Sequence, residues 1–205
     1  MFYDPRQDPR PAPLTHNPLN ALIAPRPIGW IGSVSAAGEH NLAPFSYFNA
    51  VSADPPMVVF APNSRPDGRA KDTLTNVREV GEFTASIVSR PLALAMNASS
   101  SEVEPGVNEF SLAGLTAVAS TSVRPHRVGE ARAALECTVW DIVALPAPSG
   151  RRQSHLVIGQ VVGIHIDDAL IVNGRVDTAA LAPVSRLGYF DYGSIGEIFE
   201  MLRPE

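Results

Sequence analysis

A chain of 205 residues, 45% hydrophobic and 18% charged, is long enough to fold as one domain around a substantial core. Its formal net charge of −5, with no Lys/Arg run longer than Arg151-Arg152, excludes the basic face that a nucleic-acid binder needs. No apolar run approaches the roughly 20 residues that span a bilayer, and residues 1–13, rich in Pro, Asp and Arg, lack the apolar centre of a signal peptide. With a single cysteine, Cys137, in an apolar-alternating run, the sequence reads as a cytoplasmic protein with a buried structural thiol and no membrane or nucleic-acid partner.

A Pro-rich segment over 1–17 precedes the domain, 18–205. Nineteen prolines, with frequent Gly and Ser, disfavour an all-helical fold. Residues 28–35 read as the first strand, closed by the turn-prone Ala36-Ala37-Gly38-Glu39, and residues 41–51 as its hairpin partner. The short apolar run 57–61, flanked by prolines, reads as a buried strand. A helix begins near Asp72 or Thr73, either of which can cap it, and carries Leu74, Val77 and Val80 at three-residue spacing. A strand follows over 83–88, then a helix after Ser89 with Pro91 in its first turn. Long strands over 135–145 and 155–166 come next, the second punctuated by Gly159 and Gly163, where it can bend. The spacing over 195–202 predicts a short C-terminal helix ending before Pro204. Strands outnumber helices without alternating regularly with them, so a mainly β barrel with flanking helices is expected.

Neither a Gly-x-Gly-x-x-Gly nor a P-loop is present, so a nicotinamide cofactor would not be held by a Rossmann domain. His16, His40, His126, His155 and His165 show no HExxH or Cys-His spacing, and no metal site is expected. The most informative stretch is residues 63–73, a polar loop with Ser64, Arg65, Arg69 and Lys71 that runs into a helix start at Asp72-Thr73. Helix starts expose N–H groups and partial positive charge, which favour phosphate. Lys71 is the only lysine among sixteen basic residues. The plain alternative is a solvated loop with chance charges. Residues 41–49 mix Pro44, Phe45, Tyr47 and Phe48 with Ser46 and Asn49, suited either to sandwiching a flat polar ring or to a core strand with two satisfied polar groups.

Together, Arg26-Pro27-Ile28-Gly29-Trp30-Ile31, the stretch 38–48, Asp54-Pro55-Pro56-Met57 and Arg69 with Lys71-Asp72-Thr73-Leu74 closely resemble the flavin reductase-like, FMN-binding split-barrel family. The likeness continues through Gly81-Glu82-Phe83, Met96-Asn97, Asn108-Glu109-Phe110, Leu135-Glu136-Cys137, Ile158-Gly159-Gln160-Val161 and Ser185-Arg186-Leu187-Gly188-Tyr189, and so spans about residues 20–200. The resemblance implies a six-stranded antiparallel split barrel, a homodimer, and one FMN per subunit near the dimer interface. It implies that Ala43, Pro44, Phe45, Ser46, Tyr47 and Phe48 line the flavin ring, that Ser64, Arg69, Lys71 and Thr73 hold the phosphate, and that Asp72 is among the cofactor-binding residues. It also implies further contacts from Asn97, Arg186 and Tyr189, and a catalytic His155 facing flavin or nicotinamide, a residue that reads equally well as a surface histidine at a strand end.

The implied activity is NAD(P)H-dependent flavin reduction: hydride passes from NADH or NADPH to FMN, then electrons pass to free flavin, ferric iron, oxygen or a flavin-dependent monooxygenase. Two alternatives stay open. One is an FMN-binding electron carrier or flavin store; the other is a flavoenzyme acting on a specific small organic substrate, as the related pyridoxamine phosphate oxidases do. The acidic loop 99–108, with Glu102 and Glu104, is expected either to gate the flavin face, disfavouring NADPH relative to NADH, or to be plain surface.

Overall fold

A computed structural model of the chain describes every residue except 7–9, 66, 102, 104–105, 148–152 and 205; Glu102 and Glu104 of the acidic loop therefore lie outside the described residues. Seven strands make the main sheet: β1 (Gly29–Val34), β2 (His40–Phe45), β3 (Phe48–Ala53), β4 (Pro56–Phe60), β5 (Glu82–Ile87), β6 (Ala133–Ala144) and β7 (His155–Ile166). Their order is β2-β1-β5-β6-β7-β4-β3, and every neighbouring pair is antiparallel.

The stretch 41–51, expected as one strand, is two. β2 pairs with β1, whereas β3 pairs with β4 at the opposite end of the sheet. Only Ser46 and Tyr47 separate them, so the sheet must curl until its two edges lie side by side. No ladder joins those edges among the described residues. The result is a mainly β, split-barrel architecture with seven hydrogen-bonded strands in place of the expected six.

Local sequence explains the main turns. The β1–β2 turn needs a left-handed residue, supplied by Gly38 at φ 90°, and closes through the Ser35 N–H donating to the Glu39 carbonyl at 2.9 Å. In β7, register shifts fall at Ile158/Gly159 and Val161/Gly163, where the sequence places its bend-permitting glycines. A Cβ at residue 159 would lie 2.5 Å from the Phe83 ring, so only glycine allows that approach.

Helix α1 (Asp72–Val80) buries Leu74 and Val77 against the sheet and ends at Gly81, left-handed at φ 74°. Its N-cap residue is Lys71, with no side-chain capping bond; capping by Asp72 or Thr73 is thus corrected, since both already lie inside the helix. Helix α2 (Ala93–Ala98) follows a single 3-10 turn, Arg90–Leu92, with Pro91 at its start. Helix α3 (Glu109–Leu112) is capped by the Asn108 side chain, which accepts from the Phe110 N–H.

Two clusters form the core. One packs Phe45, Phe60, Phe83, Cys137 and Val157 beneath α1; the other joins Trp30, Leu42, Met96, Phe110 and Val128. β1 supplies Ile31 to the first and Trp30 to the second. It is buried on both faces, which is why its sequence is apolar without alternation. Burial pushes the Cys137 thiol up to about 12, with the Glu136 charge adding to the effect, so it is an inert core group.

A small sheet of Arg26–Pro27, Val184–Arg186 and Tyr192–Ser194 carries the C-terminal end. The helix expected over 195–202 is absent: those residues have no regular structure, and Ile198, Phe199, Met201 and Leu202 are exposed. An eight-residue helix without an apolar surface to pack on is marginal in water. Among the described residues no helix is long and apolar enough to cross a membrane.

Candidate functional site

The β1–β2 hairpin and the first turn of α1 enclose a cleft lined by Asn41, Ala43, Pro44, Arg65, Lys71 and Thr73, closed on its far side by Ser99–Ser101 and Glu109. Its floor is a buried polar network. Thr73 Oγ1 donates to Asn41 Oδ1 at 2.8 Å, Asn76 Nδ2 donates to Ser33 Oγ at 3.0 Å, and Ser33 Oγ donates to Asn41 Oδ1 at 3.2 Å. Asn41 Nδ2 in turn donates to Glu109 Oε1 at 2.8 Å, while the Leu42 N–H donates to Glu109 Oε2 at 3.0 Å. The network thus ties α1, both strands of the hairpin and α3 into one rigid frame. Trp30 Nε1 donates to Ser99 Oγ at 2.9 Å and fixes the opposite wall.

Burial pushes the Glu109 carboxyl up, helped by the Asp72 charge and only partly opposed by the bonds from Leu42 and Asn41. Cationic groups face the cleft instead. Lys71 Nζ lies 5.7 Å from the Phe45 ring centroid. Arg65 donates to Asp72 Oδ2 at 3.0 Å and to the Val103 carbonyl at 3.3 Å, which aims its guanidinium across the α1 start. The first-turn N–H groups of α1 have no partner within the helix. Two cations and a helix start in one crevice match the needs of a phosphate monoester, whereas the Ser99 and Ser100 hydroxyls already donate to the Met96 and Asn97 carbonyls.

The structure divides the residues singled out by sequence. Ala43, Pro44, Lys71, Asp72 and Thr73 come together in this cleft, although the Thr73 hydroxyl is spent on Asn41. Phe45 lies in the core beneath it. Ser64 is buried, its hydroxyl donating to the Gln153 carbonyl at 2.8 Å. Arg69 is exposed and pairs with Asp67 at 2.6 Å. Arg65, which sequence reasoning left out of the site, takes the position in the cleft. The two arginines are separated by a tight turn in which the Arg65 N–H donates to the Arg69 carbonyl at 2.8 Å, and no composition signal reveals which one points inward.

Ser46, Tyr47 and Phe48 line a second, more apolar cleft of about 580 Å³ with Pro25, Arg26 and Leu156. Asn97 and Arg186 line a third, of about 500 Å³, with Leu94, Phe190 and Tyr192. Arg186 stacks over the Tyr192 ring at 4.4 Å and donates to the Tyr192 hydroxyl and the Tyr189 carbonyl. Tyr189 itself adopts a left-handed φ of 55° and packs edge-on to His16.

His155 lies neither in these three clefts nor on the surface. It shares the inner face of β7 with Val157 and Val161, buried, its Nδ1 without a partner among the described residues. Burial, then the Arg78 charge, pushes its pKa down, so it stays neutral at physiological pH. His126 is half-buried and stacks on His40 with centroids 3.7 Å apart.

A curled, split β-sheet whose edges meet beside a phosphate-suited crevice defines a small-molecule-binding barrel protein. Residues 22–181 match the flavin reductase like domain, and the chain belongs to that family. A protein of Halalkalibacterium halodurans known only as uncharacterized protein BH2278 is 39% identical over 91% of this chain and 89% of its own. The Bacillus subtilis uncharacterized protein YwrF is 33% identical over 93% of each chain. Among solved structures, nitrilotriacetate monooxygenase component B from Bacillus cereus superposes with a TM-score of 0.89 at 32% identity, covering 98% of both chains. The 2-nitrobenzoate 2-nitroreductase NbaA of Pseudomonas fluorescens superposes with a TM-score of 0.78 at 28% identity, covering 91% of this chain and 88% of that one. Flavin-related oxidoreduction is the activity these relationships support.

Proposed function

We propose that the chain is an FMN-dependent oxidoreductase that draws hydride from NADH or NADPH and works as a homodimer. The observation that carries this reading is the convergence of Arg65, Lys71 and the α1 start on one crevice. Lys71 supplies a compact charge to the phosphate, and Arg65 a planar fork that Asp72 holds in place. The Asn41–Thr73–Glu109 network keeps the helix start from shifting when the anion arrives. The segment Ala43 to Phe48 runs from this cleft into the apolar one, where a ring joined to the phosphate by a flexible chain would reach Ser46 and Tyr47. Bound FMN supplies a ring that accepts hydride from a reduced nicotinamide and passes electrons on. Asn97 and Arg186, across α2, are assigned to the side where the nucleotide enters. His155 has no part in proton handling in this reading, because it faces the core.

The likeness to a monooxygenase component favours a partner monooxygenase as the electron acceptor. A second reading, direct reduction of a small aromatic substrate, is favoured by the likeness to a nitroreductase and by the apolar cleft beside Tyr47 and Phe48. An anaerobic absorbance titration tests the proposal. With FMN bound, NADH or NADPH should bleach the flavin band within seconds; bound flavin that neither nucleotide bleaches contradicts the nicotinamide step.

A further inference from the structure

A separate cavity of about 300 Å³ lies where residues 127–132 meet the C-terminal end of β7. Arg127, Arg132, His165, Asp167, Ile164 and Ile166 line it, and it shares no lining residue with the cofactor cleft. Its acids are already engaged. Asp167 accepts from Arg132 Nε at 2.8 Å and from the Ala169 N–H at 3.0 Å. Glu136, fully buried behind His165, accepts from His165 Nε2 at 2.5 Å and from the Thr121 and Ser122 N–H groups at 2.7 and 2.6 Å.

Arg127 stands apart from these pairs. Its Nε is buried with no hydrogen-bond partner among the described residues. None of the ion pairs among those residues involves it. A guanidinium N–H buried without an acceptor is costly, and the one acid lining this cavity, Asp167, is already engaged by Arg132. The missing element is an acceptor with several oxygens, and a planar guanidinium fork matches phosphate geometry. The cavity is far larger than a phosphate ion, and its lining is almost wholly polar, which suits the hydroxylated remainder of a sugar phosphate.

We infer that this cavity binds the phosphoryl group of a small phosphomonoester, with Arg127 as its principal anchor and Arg132 and His165 beside it. The inference does not depend on FMN occupying the first cleft.

Calorimetric titration with ribose 5-phosphate, in parallel with inorganic phosphate, tests it on the full chain carrying one equivalent of FMN. Wild type should show one saturable site that takes the ester more tightly than phosphate. Arg127→Gln should weaken ester binding by about tenfold or more, as loss of a charge-assisted bond implies. Arg127→Lys should retain part of the affinity, and Lys71→Ala should leave it unchanged. Thermal unfolding checks that each variant is folded. No saturable binding overturns the inference. So does loss in Lys71→Ala without loss in Arg127→Gln, which would place the ester in the cofactor cleft. Phosphate binding as tightly as the ester would overturn the assignment to an ester.

Discussion

Two buried glutamates sit in contrasting surroundings, and the contrast separates a structural clamp from a site prepared for a ligand. Glu136 on β6 meets His165 and two backbone N–H groups. Burial opposes its charge, yet these donors outweigh it and hold the carboxyl below its usual range. Glu109 at the α1 cleft meets one amide and one backbone N–H, with Asp72 nearby, and burial prevails and pushes it up. In the clamp, every charge is answered by another protein group. At the cleft, Lys71 and Arg65 belong to the lining while burial holds the acid beneath toward neutrality, so less negative charge opposes an incoming anion.

The largest effect should come from breaking the clamp. Glu136→Ala removes the acceptor for three donors at once and should destabilise the fold by about 2–4 kcal/mol in urea unfolding. A loss within experimental error would mean that water replaces the carboxylate and that the 119–122 loop needs no anchor.

Next, Arg65→Ala should weaken FMN binding about tenfold or more, whereas Arg69→Ala, whose partner Asp67 is exposed, should change it less than about twofold. The reverse ranking would restore the reading from sequence alone. Unfolding temperatures accompany both variants, because Arg65 also holds Asp72 and the Val103 carbonyl.

The smallest effect, and the sharpest for the comparison, is in pH. The lowered Glu136 value gives stabilisation that is present above its ordinary 4.5 and is lost as pH falls through the native value. The raised Glu109 value gives stabilisation that is present below 4.5 and is lost as pH rises through the native value. Relative to Glu136→Gln, wild type should therefore lose stability as pH falls below 4.5; relative to Glu109→Gln, it should gain stability as pH falls toward 4.5. Slopes of the same sign would show that the two acids do not differ in the way proposed.

Much of the architecture was legible in the residues. Apolar runs marked the strands, Leu74 and Val77 marked α1, and Gly159 and Gly163 marked the bends of β7. The break at Ser46–Tyr47 was not legible, because both flanking segments are strand-like and only their pairing at opposite ends of the sheet divides them. The 195–202 spacing is helical, but a period describes a face, and no surface of this chain receives that face. At the candidate site, the placement of Lys71 beside a helix start followed from composition and position. Arg65 depended on a turn geometry invisible to composition. The inward aim of His155 was available in principle, since it shares parity with Val157 and Val161 along a strand.

The central claim is that the crevice at the start of α1 holds the phosphate of FMN. It is tested most directly by titrating Lys71→Ala with FMN and, separately, with riboflavin. Loss of a charge-assisted bond predicts FMN binding weaker by about 1–3 kcal/mol, with riboflavin nearly unchanged because it has no phosphate. Equal loss for both ligands would contradict the claim and make Lys71 a support of the fold instead of an anchor.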